Sequence, residues 1–580
     1  MIILREYGMN LKLKQFLGLS LLAATSLVQA DCTSNAGTSC SDTTLGVDLS
    51  NTSCKPQTIN EEAYGQTFFS LRPAHSDMAR DMTGTDSRIH KFALQEFNGD
   101  VSLALQWQQT TSSDKLGNWF FFNGSNTMSY GPNWDAGTNY GAVDVNSLNF
   151  GVTASGSITA TPRVQELIAD FQLFLGWDEF VSGLWTRIGV PVNYVRTDMR
   201  LVDTVSTADA NAVNPGYLNQ GDFTNTTNPN DVNKPPYANL AAAWVGDKGV
   251  GQWAGRQNGN INGRRTHTSV SGLTLELGYD VLRREHGHLG FSLRAVAPTG
   301  NEPTSNYLFD AVVGANGCWE FGGGFTSAYE LYNNSDDSTL KAYMNANFTH
   351  LFGRNQKRIM GLTGLRDGGK SITTAAGNGS ELPSAGAPWL ILAQYNSSNQ
   401  YTGVLTSASD LTSLVVKVHN AVMADFGLSL KYCWGNYGFE LGYNLWARTK
   451  DVASAREVSP FATVNYGVKA AAGNSGSTVL ATSSTSIATL SQSDITSAGA
   501  TTTAATAQYL TDANVAVCPA LQPTCLSNKV FGSVGYTWSD NEWDPYVLIG
   551  GTYEAGCTIS EVKNSAVSQW SVLAKGGIAF

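Results

Sequence analysis

The chain has 580 residues, a formal net charge of -11, 14% charged residues, 10% aromatics and 59 glycines. Soluble domains carry roughly 25% charged residues, so this composition argues against an ordinary soluble domain and suits strands whose outer face meets lipid. The acidic balance would repel phosphates, which argues against a nucleic-acid partner.

Residues 1–30 begin with Arg5, Lys12 and Lys14, run through apolar residues 16–28 and finish on Val28-Gln29-Ala30, the order of a secretory signal peptide. Its three basic residues outnumber Glu6 by two, so removal takes the formal charge from -11 to -13. No later apolar run reaches the length of a membrane helix. A barrel is compatible with the mean hydropathy of -0.15, because alternate polar positions dilute the apolar ones. All eight cysteines lie beyond the signal, where disulfides form. Cys32, Cys40 and Cys54 cluster; Cys318, Cys433 and Cys557 are scattered; Cys518 and Cys525 bracket a short Pro-containing loop and are expected to bridge. The spacings fit no zinc pattern, and neither a metal nor a cofactor is expected.

Residues 31–100 read as a periplasmic or plug-like segment leading into the first strands, rich in Ser, Thr, Asn and Cys up to residue 63. After the Asn98-Gly99 turn, residues 101–110 alternate weakly, and residues 119–122 are an aromatic block. From Glu166 the period of two is clean. Leu167, Phe171, Leu173 and Leu175 oppose Glu166, Asp170 and Gln172; Ile188, Val190, Val192 and Tyr194 oppose Trp185, Arg187 and Asn193. Residues 203–268 are polar and rich in Asn, Asp, Gly and Pro, a long loop. The pattern resumes at 273–281, 289–295, 319–331 and 340–348, breaks at a second long loop, 353–420, and returns at 428–434 and 439–445. A third long loop spans 451–528, including the Ala/Ser/Thr tract at 467–515. Strands at 530–538, 546–554 and 569–580 complete the chain.

The connections between these strands alternate short and long, as periplasmic turns and extracellular loops do in outer-membrane barrels. The expected fold is therefore all-β: a transmembrane antiparallel barrel over 101–580, with eleven strands from Glu166 onward and at least one upstream. Twelve to sixteen strands cover the options, and fourteen is expected. The last strand, ending in Phe580, reads as the closing strand and assembly signal.

Residues 364–371, Gly-Leu-Arg-Asp-Gly-Gly-Lys-Ser, match the P-loop spacing. They lack the strand before and the helix after that a phosphate cradle needs, and read as a glycine-rich basic loop. The seven histidines, among them His286 and His288 in one short turn, are paired with no recognisable nucleophile and read as solvated, so no enzyme is expected. The informative set is the inward face: Glu166, Asp170, Arg187, Glu276, Asp280, Arg294, Glu320, Glu330, Lys341, Asp425, Lys431, Glu440, Arg448, Glu554 and Lys575. An outward Arg or Lys at the bilayer midplane costs about 2–4 kcal/mol, so these charges belong in the lumen. There they serve as pore-lining candidates that hydrate the interior and set ion preference.

By this pattern the chain resembles outer-membrane porin-like proteins. That resemblance implies a passive channel for small hydrophilic solutes, placed in the outer membrane of a Gram-negative-type bacterium. Its partners would be outer-membrane lipid, the barrel-assembly machinery and possible sister subunits of a homotrimer. Residues 294–300, Arg-Ala-Val-Ala-Pro-Thr-Gly, resemble the long-chain fatty-acid transporter family. That alternative implies hydrophobic substrates and an internal hatch formed by residues 31–100. A third reading is a structural or adhesive surface protein linked through its cysteines.

Overall fold

The computed structural model describes residues 65–84, 97–111, 113–121, 125–131, 145–146, 152, 154–207, 237–245, 255–261, 263–284, 286–334, 338–362, 366–367, 370–371, 389–397, 401–468, 509–538, 543–556 and 566–580. Twelve strands form the wall: β1 (Asn98–Thr110), β2 (Arg163–Gly176), β3 (Leu184–Asp198), β4 (Leu273–Arg284), β5 (Gly287–Ala297) and β6 (Glu320–Asn334), then β7 (Ser338–Ile359), β8 (Ser413–Trp434), β9 (Tyr437–Arg448), β10 (Cys525–Thr537), β11 (Asp544–Gly556) and β12 (Gln569–Ala579). Each pairs antiparallel with its neighbour in sequence, and β12 pairs with β1, from Asp100 opposite Ala579 to Thr110 opposite Gln569. The sheet therefore has no free edge, which is what a spanning β-structure requires.

Side-chain alternation gives the wall two chemistries. Outward positions such as Leu105, Phe171, Leu275, Leu277, Phe291, Leu441 and Ile549 are exposed, while their inward neighbours Gln106, Asp170, Glu276, Ser292 and Glu440 are buried. A closed barrel with an apolar exterior and a polar interior is an outer-membrane barrel. Aromatic side chains crowd the short-turn end. The Phe580 ring lies 6.2 Å from both Phe97 and Trp543, and its backbone exchanges hydrogen bonds of 2.8 and 3.0 Å with Gly99.

The strand count is twelve in the wall, not fourteen. Two further strands join the sheet outside the closure: Arg264–Val270 on the upper half of β3 and Asp451–Arg456 on the upper half of β8. They exist because β3, β7 and β8 continue beyond the bilayer, β7 and β8 being 22 residues long in all. The expected loop limits shift for the same reason. The loop placed at 353–420 starts after Ile359 and ends before Ser413, and strands run into the loops placed at 203–268 and 451–528.

The large apolar cores lie outside the barrel. One, at the long-loop end, joins Phe69, Trp119, Phe120, Phe121, Trp244, Phe309 and Trp389. A second joins Leu390, Leu392, Leu414, Val416, Phe461 and Val515.

The filled lumen as candidate functional site

Residues 65–84 run down the barrel from one end to the other. At the long-loop end the Gln66 amide donates to Trp119 O and the Thr67 amide to Pro519 O, both at 2.9 Å. At the short-turn end the Gly84 amide donates to Glu440 Oε2 at 3.2 Å. The one helical turn of the segment, α1 (Met78–Met82), is far too short to stand alone. It is seated on the wall through Met78, Ala79 and Met82, which pack against Ala328, Tyr343 and Phe531. Gly427 on β8 makes this seat possible, because a β-carbon there would overlap Met82 Sδ and Met78 Cγ.

Charge fixes the rest. Arg72 donates to both oxygens of Asp425 at 3.0 and 3.1 Å, to Glu554 at 3.1 Å and to Asn444 at 2.9 Å. Arg80 reaches Asp170 at 2.9 Å, Gln106 at 2.9 Å and Asp77 at 3.5 Å. Lys529 spans Asp77 at 3.0 Å and Glu554 at 3.1 Å, and Arg187 meets Asp81 at 3.0 Å. His75 places Nε2 2.7 Å from Glu320 Oε1 and Nδ1 3.2 Å from Ser271 Oγ. Desolvating this many charges is costly unless each is paired, so the segment and the wall stabilise one another only in this register.

All fifteen sequence-predicted lumen charges stand on the inner side of the strands that carry them. Glu166, Asp170, Glu276, Arg294, Glu320, Asp425, Glu440, Arg448, Glu554 and Lys575 are buried. Glu166 accepts from Gln108, Glu276 binds Arg294, and Arg294 donates to His75 O at 2.7 Å. Lys575 donates to Arg80 O at 3.3 Å, and Arg448 lies 3.6 Å from Asp451, which binds Arg358 at 2.7 Å. Asp280, Glu330, Lys341 and Lys431 occupy the short-turn end. Trp185 donates to Asp280 at 3.3 Å, and Glu330 lies 3.8 Å from Lys341. Lys341, Lys431 and Glu440 line a cavity of about 240 Å³ that opens below Gly84.

Sequence reasoning missed the other half of this network: Arg72, His75, Asp77, Arg80 and Asp81 on the segment, with Gln106, Gln108 and Lys529 on the wall. A signal was present, since five ionisable residues fall within ten positions of a chain that is only 14% charged. Two further expectations are corrected. His75 and His288 are buried rather than solvated. His75 is also joined to a serine and a carboxylate, the residue types of a hydrolytic triad. All three are buried, however, and a β-carbon at Gly272 would already crowd His75 Nδ1 at 2.6 Å and Val296 at 2.7 Å, so no substrate carbonyl has room. The Cys518–Cys525 bridge is not formed. Cys525 begins β10 with its thiol facing inward beside Arg448 and Gln522, whereas Cys518 sits exposed on the turn Cys518–Ala520 and is disulfide-bonded to a cysteine other than Cys525. In the glycine-rich loop Arg366–Asp367 pairs with Lys370–Ser371 as a minimal hairpin, which is not the strand-to-helix junction of a phosphate cradle.

Over the lumen lies the aromatic cap. Trp119 donates from Nε1 to Phe68 O at 3.1 Å, and Phe69 packs at 5.6–6.5 Å from Trp119, Phe120 and Phe309. Arg256 crosses this core, bonded to Ser407 Oγ at 3.2 Å and Ala243 O at 3.0 Å, with its guanidinium 5.1 Å from the Trp389 ring centre. Burial pulls its pKa down to about 10. Between Phe68, Phe69, Tyr307, Leu308 and Ile359 the cap leaves a water-sized cavity of about 20 Å³.

No family model matches the chain, and no curated protein sequence matches it. Solved outer-membrane barrels are similar in fold. A FadL homologue of Pseudomonas aeruginosa is 7% identical, with a TM-score of 0.25 over 90% of this chain and 97% of its own. The TodX deltaS2S3 mutant, a monoaromatic hydrocarbon channel, is 8% identical, with a TM-score of 0.30 over 84% and 90%. The translocator domain of the autotransporter NalP from Neisseria meningitidis is 6% identical, with a TM-score of 0.27 over 87% and 96%. Likenesses this distant say nothing of what the chain carries.

Proposed function

We propose that this outer-membrane β-barrel is a gated transporter of small, largely apolar molecules, held shut by residues 65–84, rather than an open channel for hydrophilic solutes. The observation that carries the reading is the engagement of the inward charges by that segment. Arg72, His75, Arg80 and Asp81 bind the Asp425, Glu554, Glu320, Asp170 and Arg187 side chains that would otherwise line a water path. A passive diffusion pore needs those groups facing water; here they face a hatch.

The apolar preference is supported by what lies above. A solute arriving at the long-loop end meets a cap whose core is built from tryptophan and phenylalanine and which grips the top of the hatch at Phe69. These rings are buried in the closed form, and an aromatic interior of that kind, once opened, favours apolar over hydrophilic solutes. The resemblance of residues 294–300 to the fatty-acid transporter family agrees with it. For an enzyme, the one Ser–His–Glu constellation among the described residues is sealed.

Uptake tests the reading. In cells whose other entry routes are removed, expression of this protein is expected to restore uptake of a radiolabelled medium-chain fatty acid or an aromatic hydrocarbon but not of a trisaccharide. Equal restoration of trisaccharide uptake would overturn it.

A further inference from the structure

The outer face of β1, β2 and β3 ends, on the long-loop side, in a charge pattern that the lumen does not explain. Gln108, Val164, Glu166, Val195 and Thr197 are buried inward, so the residues between them point outward. The last apolar members of that outward set are Trp107, Leu167 and Tyr194, which stand in one register row across the three strands. The next outward positions hold Gln109, Gln165 and Arg196, again in one row. One step beyond Gln165 on β2 comes Arg163, opposite Asp198.

The depth of these residues follows from the strands that carry them. On β2 the outward apolar set runs from Trp177, just past the short-turn end of the strand, up to Leu167. Those ten positions rise ~33 Å along the strand, or roughly 25 Å across a bilayer at a tilt near 40°, the height of a lipid-facing band. One further outward step rises ~5 Å, and the headgroup layer adds about 5–7 Å to each side of the hydrocarbon core. Gln165, and likewise Gln109 and Arg196 above the last apolar residue of their own strands, therefore stand in that layer. Arg163 starts one step higher, but its guanidinium turns down to donate to Gln109 Oε1, which also accepts from Gln165 Nε2 at 2.9 Å. Trp570 stands opposite Gln109 and packs edge-on against Trp107, with ring centres 4.9 Å apart. With the exposed Tyr194 ring, they mark the membrane–water boundary.

The positive charge at this level is uncompensated. Among the described residues Arg196 has no hydrogen-bond or ion-pair partner, and the Arg163 guanidinium bonds only the neutral Gln109 side chain. Asp198, the carboxylate opposite Arg163, is engaged by Arg264 at 3.3 Å and by the Arg200 amide at 3.1 Å. Arg163 and Arg196 are diagonal neighbours on adjacent strands, which sets their backbones about 7–8 Å apart. A guanidinium offers paired donors to phosphate oxygens and is more weakly hydrated than an ammonium, so two of them on one face match a phosphate.

We propose that Arg163 and Arg196, with the Gln165 side chain beside them, bind the phosphate of an anionic lipid in the leaflet on the long-loop side. Each guanidinium donates charge-assisted hydrogen bonds to phosphate oxygens, while Trp107, Leu167 and Tyr194 lie along the acyl chains below.

The test uses the full-length protein in neutral-detergent micelles, with retained lipid read by native mass spectrometry. The probes are diphosphorylated lipid A, the same lipid without its phosphates, and inorganic phosphate. Wild type is expected to hold the diphosphorylated lipid and to hold the dephosphorylated form far more weakly. The double variant Arg163→Gln, Arg196→Gln is expected to lose roughly 25-fold in affinity, about fivefold for each charge near an anionic surface. The double variant Arg163→Lys, Arg196→Lys should keep most of the affinity, and the control Arg284→Gln, exposed at the short-turn end, should bind as wild type does. Equal retention of the two lipids by wild type, a comparison that needs no variant to fold, would overturn the proposal. So would wild-type affinity in the double Gln variant, or full displacement of the lipid by millimolar inorganic phosphate, which would make this a free-anion site.

Discussion

The two ends of residues 65–84 are held by opposite means. The upper end is buried in an aromatic core, where Phe69 meets Trp119, Phe120 and Phe309. The lower end is held by ions, with Arg72, His75, Asp77 and Arg80 each facing a specific partner on the wall. Hydrophobic burial is non-directional and tolerates small displacements. Buried ion pairs do not, because a partner moved away leaves a charge uncompensated in low dielectric. The cap therefore suits a surface that adapts to what arrives, and the lumen suits an all-or-none latch.

The comparison is sharpened first at Arg80. Arg80→Ala strands Asp170 in the lumen, whereas Asp77 keeps Lys529 at 3.0 Å, and breaking a buried pair of this kind costs about 3–5 kcal/mol. The expected outcome is a hatch released roughly a hundred- to several-thousandfold more often, read as open probability in planar bilayers. Adding Asp170→Asn, which removes the orphaned charge, should recover part of the loss. An Arg80→Ala protein as tightly closed as wild type would break the ionic half of the account.

A smaller effect is expected in the cap. Trp119→Phe keeps most of the buried area but loses the Nε1 bond to Phe68 O, worth about 1–2 kcal/mol. Hydrogen exchange should report faster opening around residues 66–71 with little change in open probability. If Trp119→Phe opens the barrel as Arg80→Ala does, the two regions are one cooperative unit and the contrast fails.

The smallest effect is a pH response in the loops. Hydrogen bonds from Arg456 hold the Asp512 carboxyl at about 2, and Asp512 also accepts the Ser459 amide at 2.9 Å. A carboxyl depressed in the folded state contributes stability above its unfolded pKa of about 3.9 and loses it as pH falls through the folded value. The Ser459 amide is thus expected to stay protected from exchange at pH 5 and to lose protection between about pH 4 and pH 2. Unchanged protection across that window would show that the contact is not what orders the loop.

The wall was legible in the sequence because its chemistry is periodic. Leu273, Leu275 and Leu277 against Thr274 and Glu276 can only be one two-faced strand, and the fifteen inward charges follow from the same parity. The count of eleven strands from Glu166 plus one upstream gives the twelve observed. Fourteen overshoots by two, and the short apolar piece Gln66 to Leu71 enters no strand but rises from the lumen into the cap. The hatch was not legible, because its partners lie far along the chain. Arg72 meets Glu554 and Lys529 meets Asp77 across more than four hundred residues, and no local period records such pairs. The cap escaped for a related reason: Trp119, Trp244, Phe309 and Trp389 come from four separate connections, and even the aromatic block at 119–122 carries no period that records its partners in the other three. Cys518 and Cys525 misled by proximity in sequence, since the strand start at Cys525 turns its thiol inward.

The central claim is that residues 65–84 close the lumen, and single-channel recording in a planar bilayer tests it most directly. Wild-type protein is expected to insert without resolvable conductance, and a variant lacking residues 65–84 to give stable, stepwise, ohmic openings. Wild-type protein that opens in steps of the same size as the deletion variant would contradict it.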